Sequence, residues 1–269
     1  MNIIALGKTA CTLVEKFKKY PQYKIYKISI EEGNVQEQNH PEQYDQRNDY
    51  PIFDLPNDDI DVDFFVSGDE IICAASLRIL ENYKDKIIRI FYLKPNIKYL
   101  SDLQKTTNKV VYNVLQEYTR SNKFDSMYII EYDNVVTMLG KIPIIGYYDK
   151  LNTAIVDTIH MINYFDHNEP VLGKESETYK TYCICTIGIM DFESGVESNF
   201  YDLDNVRENR YYYSIKETQL QTDGDLWDKI NTQLDKKTVE QEKTTFSIYS
   251  NSFEYNTCYV VKKSPYIQG

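Results

Sequence analysis

Up to Phe165, short apolar runs alternate with segments whose apolar positions recur at helical spacing, and few folds accommodate such an order. Asn2-Ile3-Ile4-Ala5-Leu6 reads as a buried strand, Gly7 breaks it, and Leu13, Val14 and Phe17 then recur with helical period up to Tyr20. Pro21 stops that helix, and Tyr23 to Ile30 alternates as a second strand, which closes a βαβ-sized unit. Further strands are expected at Asp61 to Ser67, Lys86 to Leu93 and Ser126 to Glu131. Helices are expected at Glu70 to Tyr83, Leu100 to Arg120, Asn134 to Leu139 and Tyr148 to Phe165, with an apolar link at Ile142 to Ile145. The helix after Leu100 has Leu103, Val110, Val111, Val114, Leu115 and Tyr118 on its apolar side. The order predicts an α/β fold with a doubly wound, mostly parallel sheet. Glu31 to Asp59 is polar and carries Pro41, Pro51 and Pro56, and it reads as a long, partly disordered surface loop.

Past Asp166 the pattern changes. A polar stretch to Lys180 precedes strands at Tyr182 to Met190, Tyr211 to Thr218, Thr245 to Tyr249 and Thr257 to Lys262, with one clear helix at Asp223 to Leu234 and Thr222 as its N-cap. The chain therefore divides into residues 1–170 and a smaller α+β domain, 171–269, joined through the helix that ends at Phe165. Tyr211-Tyr212-Tyr213 alternates across its strand, which means two packed faces or a partner surface.

Composition removes several function classes. A formal net charge of -11 repels a phosphate backbone, so no nucleic-acid partner is expected. No apolar run approaches the ~20 residues that span a bilayer, and the chain opens directly on a strand, so a cytoplasmic protein without a membrane partner is expected. The five cysteines are an odd set among apolar neighbours and fit a reducing compartment. Cys183 and Cys185 fall on one strand face, and no second Cys or His pair completes a zinc set, so no metal is expected. His40, His160 and His167 read as packing or solvated residues, and Asp58-Asp59-Ile60-Asp61-Val62-Asp63 as a solvated loop and strand edge. The abundance of Tyr (25 residues), Asn, Ile and Lys fits an AT-rich coding sequence, such as a viral one.

Ligands in an open parallel sheet bind beyond the carboxyl ends of the strands, which directs attention to two turns. Gly7-Lys8-Thr9 looks like the end of a P-loop, but the earlier glycine of that motif would fall at Asn2, inside a strand, so the cradle of amides cannot form. At Ser67-Gly68-Asp69-Glu70 a strand meets a helix, and the two acids are expected to cap that helix and to repel phosphate.

Phe124 to Gly140, with Ser126-Met127-Tyr128-Ile129-Ile130-Glu131 at its centre, resembles the strand, turn and short helix near the middle of the FtsZ/tubulin superfamily. Phe65-Val66-Ser67-Gly68, Ala74-Ala75-Ser76 and Ile90 to Lys94-Pro95 resemble that family's strand, glycine-rich loop, helix and strand ending in Lys-Pro. Tyr148-Asp149-Lys150-Leu151-Asn152 resembles the start of its central helix, where an aromatic ring and an asparagine meet guanine. The resemblance covers residues 1–170 and implies a nucleotide-binding architecture. If GTP binding is retained, it places the nucleotide at Gly7, Lys8, Thr9, Gly68, Tyr148 and Asn152.

The departures weigh against retention. The family's first loop is a run of glycines where only Gly7 stands here, and its Gly-Gly-Gly-Thr-Gly loop is reduced to Gly68-Asp69-Glu70-Ile71-Ile72. The acidic Asn-x-Asp-x-x-Asp spacing after the central helix is replaced by Asp166-His167-Asn168-Glu169-Pro170, and the helix expected to follow is shortened or absent. The sequence thus reads as a catalytically inactive tubulin/FtsZ-like protein without a cofactor or catalytic residues, which assembles with itself or binds another protein of that superfamily. The alternatives are a divergent GTP-hydrolysing filament protein and a structural component of a viral particle.

Overall fold

In the computed structural model, which describes residues 1–56, 61–174 and 180–269, the fully buried β1 (Asn2–Leu6) leads through Gly7 into α1 (Lys8–Val14). A 3-10 segment at Glu15–Lys19 extends α1, and β2 (Lys24–Ile28) returns parallel to β1. The expected loop after β2 contains α2 (Pro41–Asp45) and is anchored over residues 31–56, while 57–59 lie outside the described residues. Tyr44 is buried, its hydroxyl accepts from the Gln38 N–H at 2.9 Å, and Tyr50 donates to the Tyr44 carbonyl at 2.6 Å. A few aromatic rings hold a stretch that is polar on average.

β3 (Asp61–Ser67) leads into a segment expected as one helix. It is instead a 3-10 turn at Ile71–Ala75, α3 (Ser76–Leu80) and a second 3-10 turn at Glu81–Tyr83. The Ser76 hydroxyl donates to the Cys73 carbonyl at 2.6 Å, a local bond that competes with the helical ladder. β4 (Ile87–Lys94), α4 (Asp102–Arg120), β5 (Ser126–Glu131), α5 (Tyr132–Leu139) and α6 (Tyr147–Asp166) follow as the periodicity predicts.

The remainder holds β6 (Leu172–Lys174), β7 (Ile184–Met190), β8 (Glu197–Asn199), β9 (Glu208–Lys216), α7 (Glu217–Thr222), α8 (Leu226–Lys237), β10 (Lys243–Asn251) and β11 (Thr257–Ser264). Two helices thus stand where one was expected, and Thr222 ends the first instead of capping the second. Asp223 Oδ1 accepts from the Asp225 N–H at 3.0 Å, at the entry to α8.

Among the described residues the strands join one 11-stranded sheet in the order β2-β1-β3-β4-β5-β7-β11-β9-β10-β6, with β8 on β7. Pairing is parallel from β2 to β7 and antiparallel at β7–β11, β11–β9 and β10–β6. Only Met127 with Ile184 and Tyr128 with Cys185 are in register between β5 and β7, at the join of the two parts.

Helices cover both faces. Val111 and Leu115 of α4 pack with Ile72 and Ile79 on one face, while Leu13 of α1 and Leu151, Ile155 and Phe165 of α6 pack on the other. α6 belongs to both parts, because Phe165 stacks on Tyr249 at 4.4 Å and Tyr212 at 5.8 Å. Tyr211, Tyr212 and Tyr213 are all buried, so they form two packed faces and not a partner surface. Ile230 and Leu234 of α8 close a third cluster with Tyr211 and Tyr213.

Candidate functional site

The turns after β1 and β3 lie side by side, because those strands are neighbours in the sheet. Gly7 takes a φ of 85°, and a Cβ there would lie 2.8 Å from Glu70 Oε1. The Thr9 N–H donates to that oxygen at 3.1 Å, and the Thr9 hydroxyl donates to Asp69 Oδ2 at 2.7 Å. Glu70 therefore sits at the open amides of α1, where the helix dipole favours an anion, and does not cap its own segment as expected. Burial pushes its carboxyl up from the ordinary value, against the Lys8 and Thr9 amides, which favour the ionised form.

Gly68 is hemmed in by the protein itself. A Cβ there would meet Asn108 Oδ1 at 1.9 Å and the Tyr92 hydroxyl at 2.3 Å, and Tyr92 donates to that same oxygen at 2.6 Å. Gln104 holds the turn from outside, donating to the Asp69 carbonyl at 2.6 Å. The Glu70 carboxylate lies beside Gly7, and the Asn108 and Tyr92 side chains lie beside Gly68.

A cleft of about 470 Å³ opens beside α1 and brings Lys8, Tyr148 and Asn152 together, while Gly7, Thr9 and Gly68 stay outside its lining. Asn152 is buried, and its Oδ1 accepts from the Tyr132 hydroxyl at 2.8 Å. Tyr148 is exposed and stands edge-on to Tyr132, centroids 6.3 Å apart. The cleft's lysines are paired with acids of the same chain: Lys8 with Glu31 at 3.4 Å, Lys16 with Asp149, and Lys27 with Glu15 at 2.7 Å and Glu32 at 2.5 Å. Tyr132, Tyr92, Asn108 and Gln104 shape this region without having been singled out from sequence. Only Gln104 carried a local signal, three residues after Ser101 in a capping box.

The other candidates make contacts within the chain. Asp166 accepts from the Tyr212 hydroxyl at 2.6 Å and lies 4.0 Å from Arg210, so it is tied into its own sheet. His160 stacks on Tyr20 at 3.5 Å, and His167 Nδ1 lies 2.7 Å from the Asn163 carbonyl. Asp63 is buried in a two-point ion pair with Arg89 at 2.8 and 2.9 Å, while Asp58 and Asp59 lie outside the described residues. All five cysteines are buried and free, and burial pushes the thiols of Cys11 and Cys185 up to about 12. Cys183 and Cys185 do not share a face as expected. Cys183 precedes β7 and packs with Ile184 on the α4 side, and Cys185 packs on the α6 side. No group of three or more metal-ligating side chains occurs among the described residues.

No protein-family model and no curated protein matches the chain. Solved structures do. A GTPγS-form protofilament of TubZ from Bacillus thuringiensis serovar israelensis aligns with a TM-score of 0.66 at 12% identity, covering 98% of this chain and 86% of that one. The FtsZ dimer of M. jannaschii gives 0.62 at 9% identity, with 98% and 88% covered. CetZ from Methanosaeta thermophila gives 0.58 at 11%, with 98% and 86% covered. At such identities the likeness concerns the fold, which is of the tubulin/FtsZ type. Among the described residues no helix is long and apolar enough to cross a membrane.

Proposed function

We propose that this tubulin/FtsZ-fold chain does not turn over GTP and acts through protein contacts, assembling with itself or with another protein of the same fold. The observation that carries the reading is the Glu70 carboxylate against the α1 amides, with Asp69 beside it on Thr9. A like-charge contact near 4 Å costs on the order of 1 to 4 kcal/mol, and two such contacts offset much of a micromolar affinity worth about 8 kcal/mol. The assembly half draws support from the protofilament state of the similar TubZ structure and from Ile144 and Ile145, each 93% exposed just before α6. Apolar side chains held so far into water favour a contact that covers them.

The test is titration of purified, nucleotide-stripped protein with GTP and magnesium, read by calorimetry and by sedimentation in the same samples. The expected result is no binding heat, together with sedimentation that depends on protein concentration but not on nucleotide. GTP turnover that rises with protein concentration would overturn it.

A second reading, a divergent GTP-binding filament protein, is favoured by the cleft that gathers Lys8, Tyr148 and Asn152. It requires that Asn152→Ala weaken GTP binding, and an unchanged affinity in the same calorimeter counts against it.

A further inference from the structure

α4 carries a wider apolar arc than the sheet covers. Val111 and Leu115 are buried, but Leu103 and Val110 on the same helix remain 39% and 56% exposed. They belong to one wall of a groove of about 350 Å³, and that wall continues through Thr107 and Val114 to Leu115. From Leu103 to Leu115 the helix rises about 18 Å, so the groove follows α4 for more than three turns. Leu77, Glu42 and Asp45 stand on the opposite wall, the two acids on α2.

Leu103, Val110 and Val114, with Thr107 between them, form one stripe along the axis of α4, and a second helix laid alongside is the element that covers such a stripe along its length. An added strand would need an open sheet edge, and the edges of this sheet are β2 and β6, not this groove. The rim charge is net negative. Glu42 and Asp45 have no ion pair among the described residues, while Asp102 is paired with Lys105 at 3.2 Å, and Arg78 pairs with Glu81 at 3.3 Å and donates Nε–H to the Asp45 carbonyl at 3.0 Å. Within the chain itself, α8 ends in Lys236 and Lys237, but it already buries Leu226, Ile230 and Leu234 in its own core.

We propose that this groove receives an amphipathic helix of another protein, apolar on the face that meets α4 and basic along the edge that meets α2. Its apolar residues would cover Leu103 and Val110, and its cations would pair with Glu42 and Asp45.

The test uses the full chain and a fluorescein-labelled synthetic helical peptide with leucines at i, i+3, i+4 and i+7 and lysines elsewhere, read by fluorescence anisotropy. A twin peptide with every lysine replaced by glutamate is the control. Binding of the lysine peptide is expected to fall about tenfold in Val110→Asp, although that change adds a negative charge, and severalfold in Glu42→Lys/Asp45→Lys. The glutamate twin is expected not to bind. Equal binding to Val110→Asp, or equal binding of the twin, overturns the proposal. It is also overturned if the lysine peptide stays unbound, and an altered sedimentation of Val110→Asp alone then identifies a second copy as the occupant.

Discussion

Glu70 is half-buried, and burial raises its carboxyl above the usual range more than the amides of α1 lower it. A carboxyl whose folded pKa exceeds its unfolded value binds more protons in the folded state. Its contribution to stability is therefore greatest below the unfolded value of about 4.3 and is lost as pH rises through the folded one. The advantage of the native protein over Glu70→Gln in urea unfolding is expected to shrink as pH rises above about 4.3, and a gap that widens would contradict the assignment. What the sequence disclosed at this scale was the pairing of a lone glycine with two acids at the second turn. What it hid was the address of the acids, because Glu70 meets Thr9 across 61 positions and only the β1–β3 pairing brings them together. Tyr132 was hidden in the same way, as nothing near it in the chain announces a bond to Asn152.

α4 shows why some elements were legible and others were not. Its 19 residues keep one period, and the Ser101 hydroxyl accepts from the Gln104 N–H at 3.3 Å while Gln104 Oε1 accepts from the Ser101 N–H at 2.9 Å. Both marks are local, so a reading of neighbours finds them. Ser101→Ala is expected to cost about 1 kcal/mol in chemical denaturation, and Gln104→Ala more, because Gln104 also holds the Asp69 carbonyl. Equal losses would mean that the bond to the Asp69 turn contributes nothing. β6 and β8 went unseen for the opposite reason. Each has three residues, too few for an alternation, and each is defined by the strand it joins. The end of β9 was misjudged because Glu217 to Thr222 turns into a short helix directly from the strand, without glycine or proline to mark the change.

Across the whole molecule, the two parts of the sheet share α6, whose last aromatic residue, Phe165, lies in one cluster with Leu13 of the first part and stacks on Tyr249 of the second. Phe165→Ala is expected to cost about 3 to 5 kcal/mol and to lower both halves together. The sole tryptophan, Trp227, lies in the second part, so its fluorescence and far-UV circular dichroism should report one transition, and two separated transitions would show that the halves unfold independently. The doubly wound plan was legible because buried parallel strands write themselves as apolar runs. The single continuous sheet was not, since its join rests on two residue pairs that no periodicity encodes. The five buried thiols turn this architecture into a timekeeper. Cys11 and Cys73 sit in the first part and Cys183, Cys185 and Cys258 in the second, so an alkylating reagent can mark each only when its surroundings part. The order in which the labels accumulate is a record, kept by the unaltered protein, of which layer breathes first.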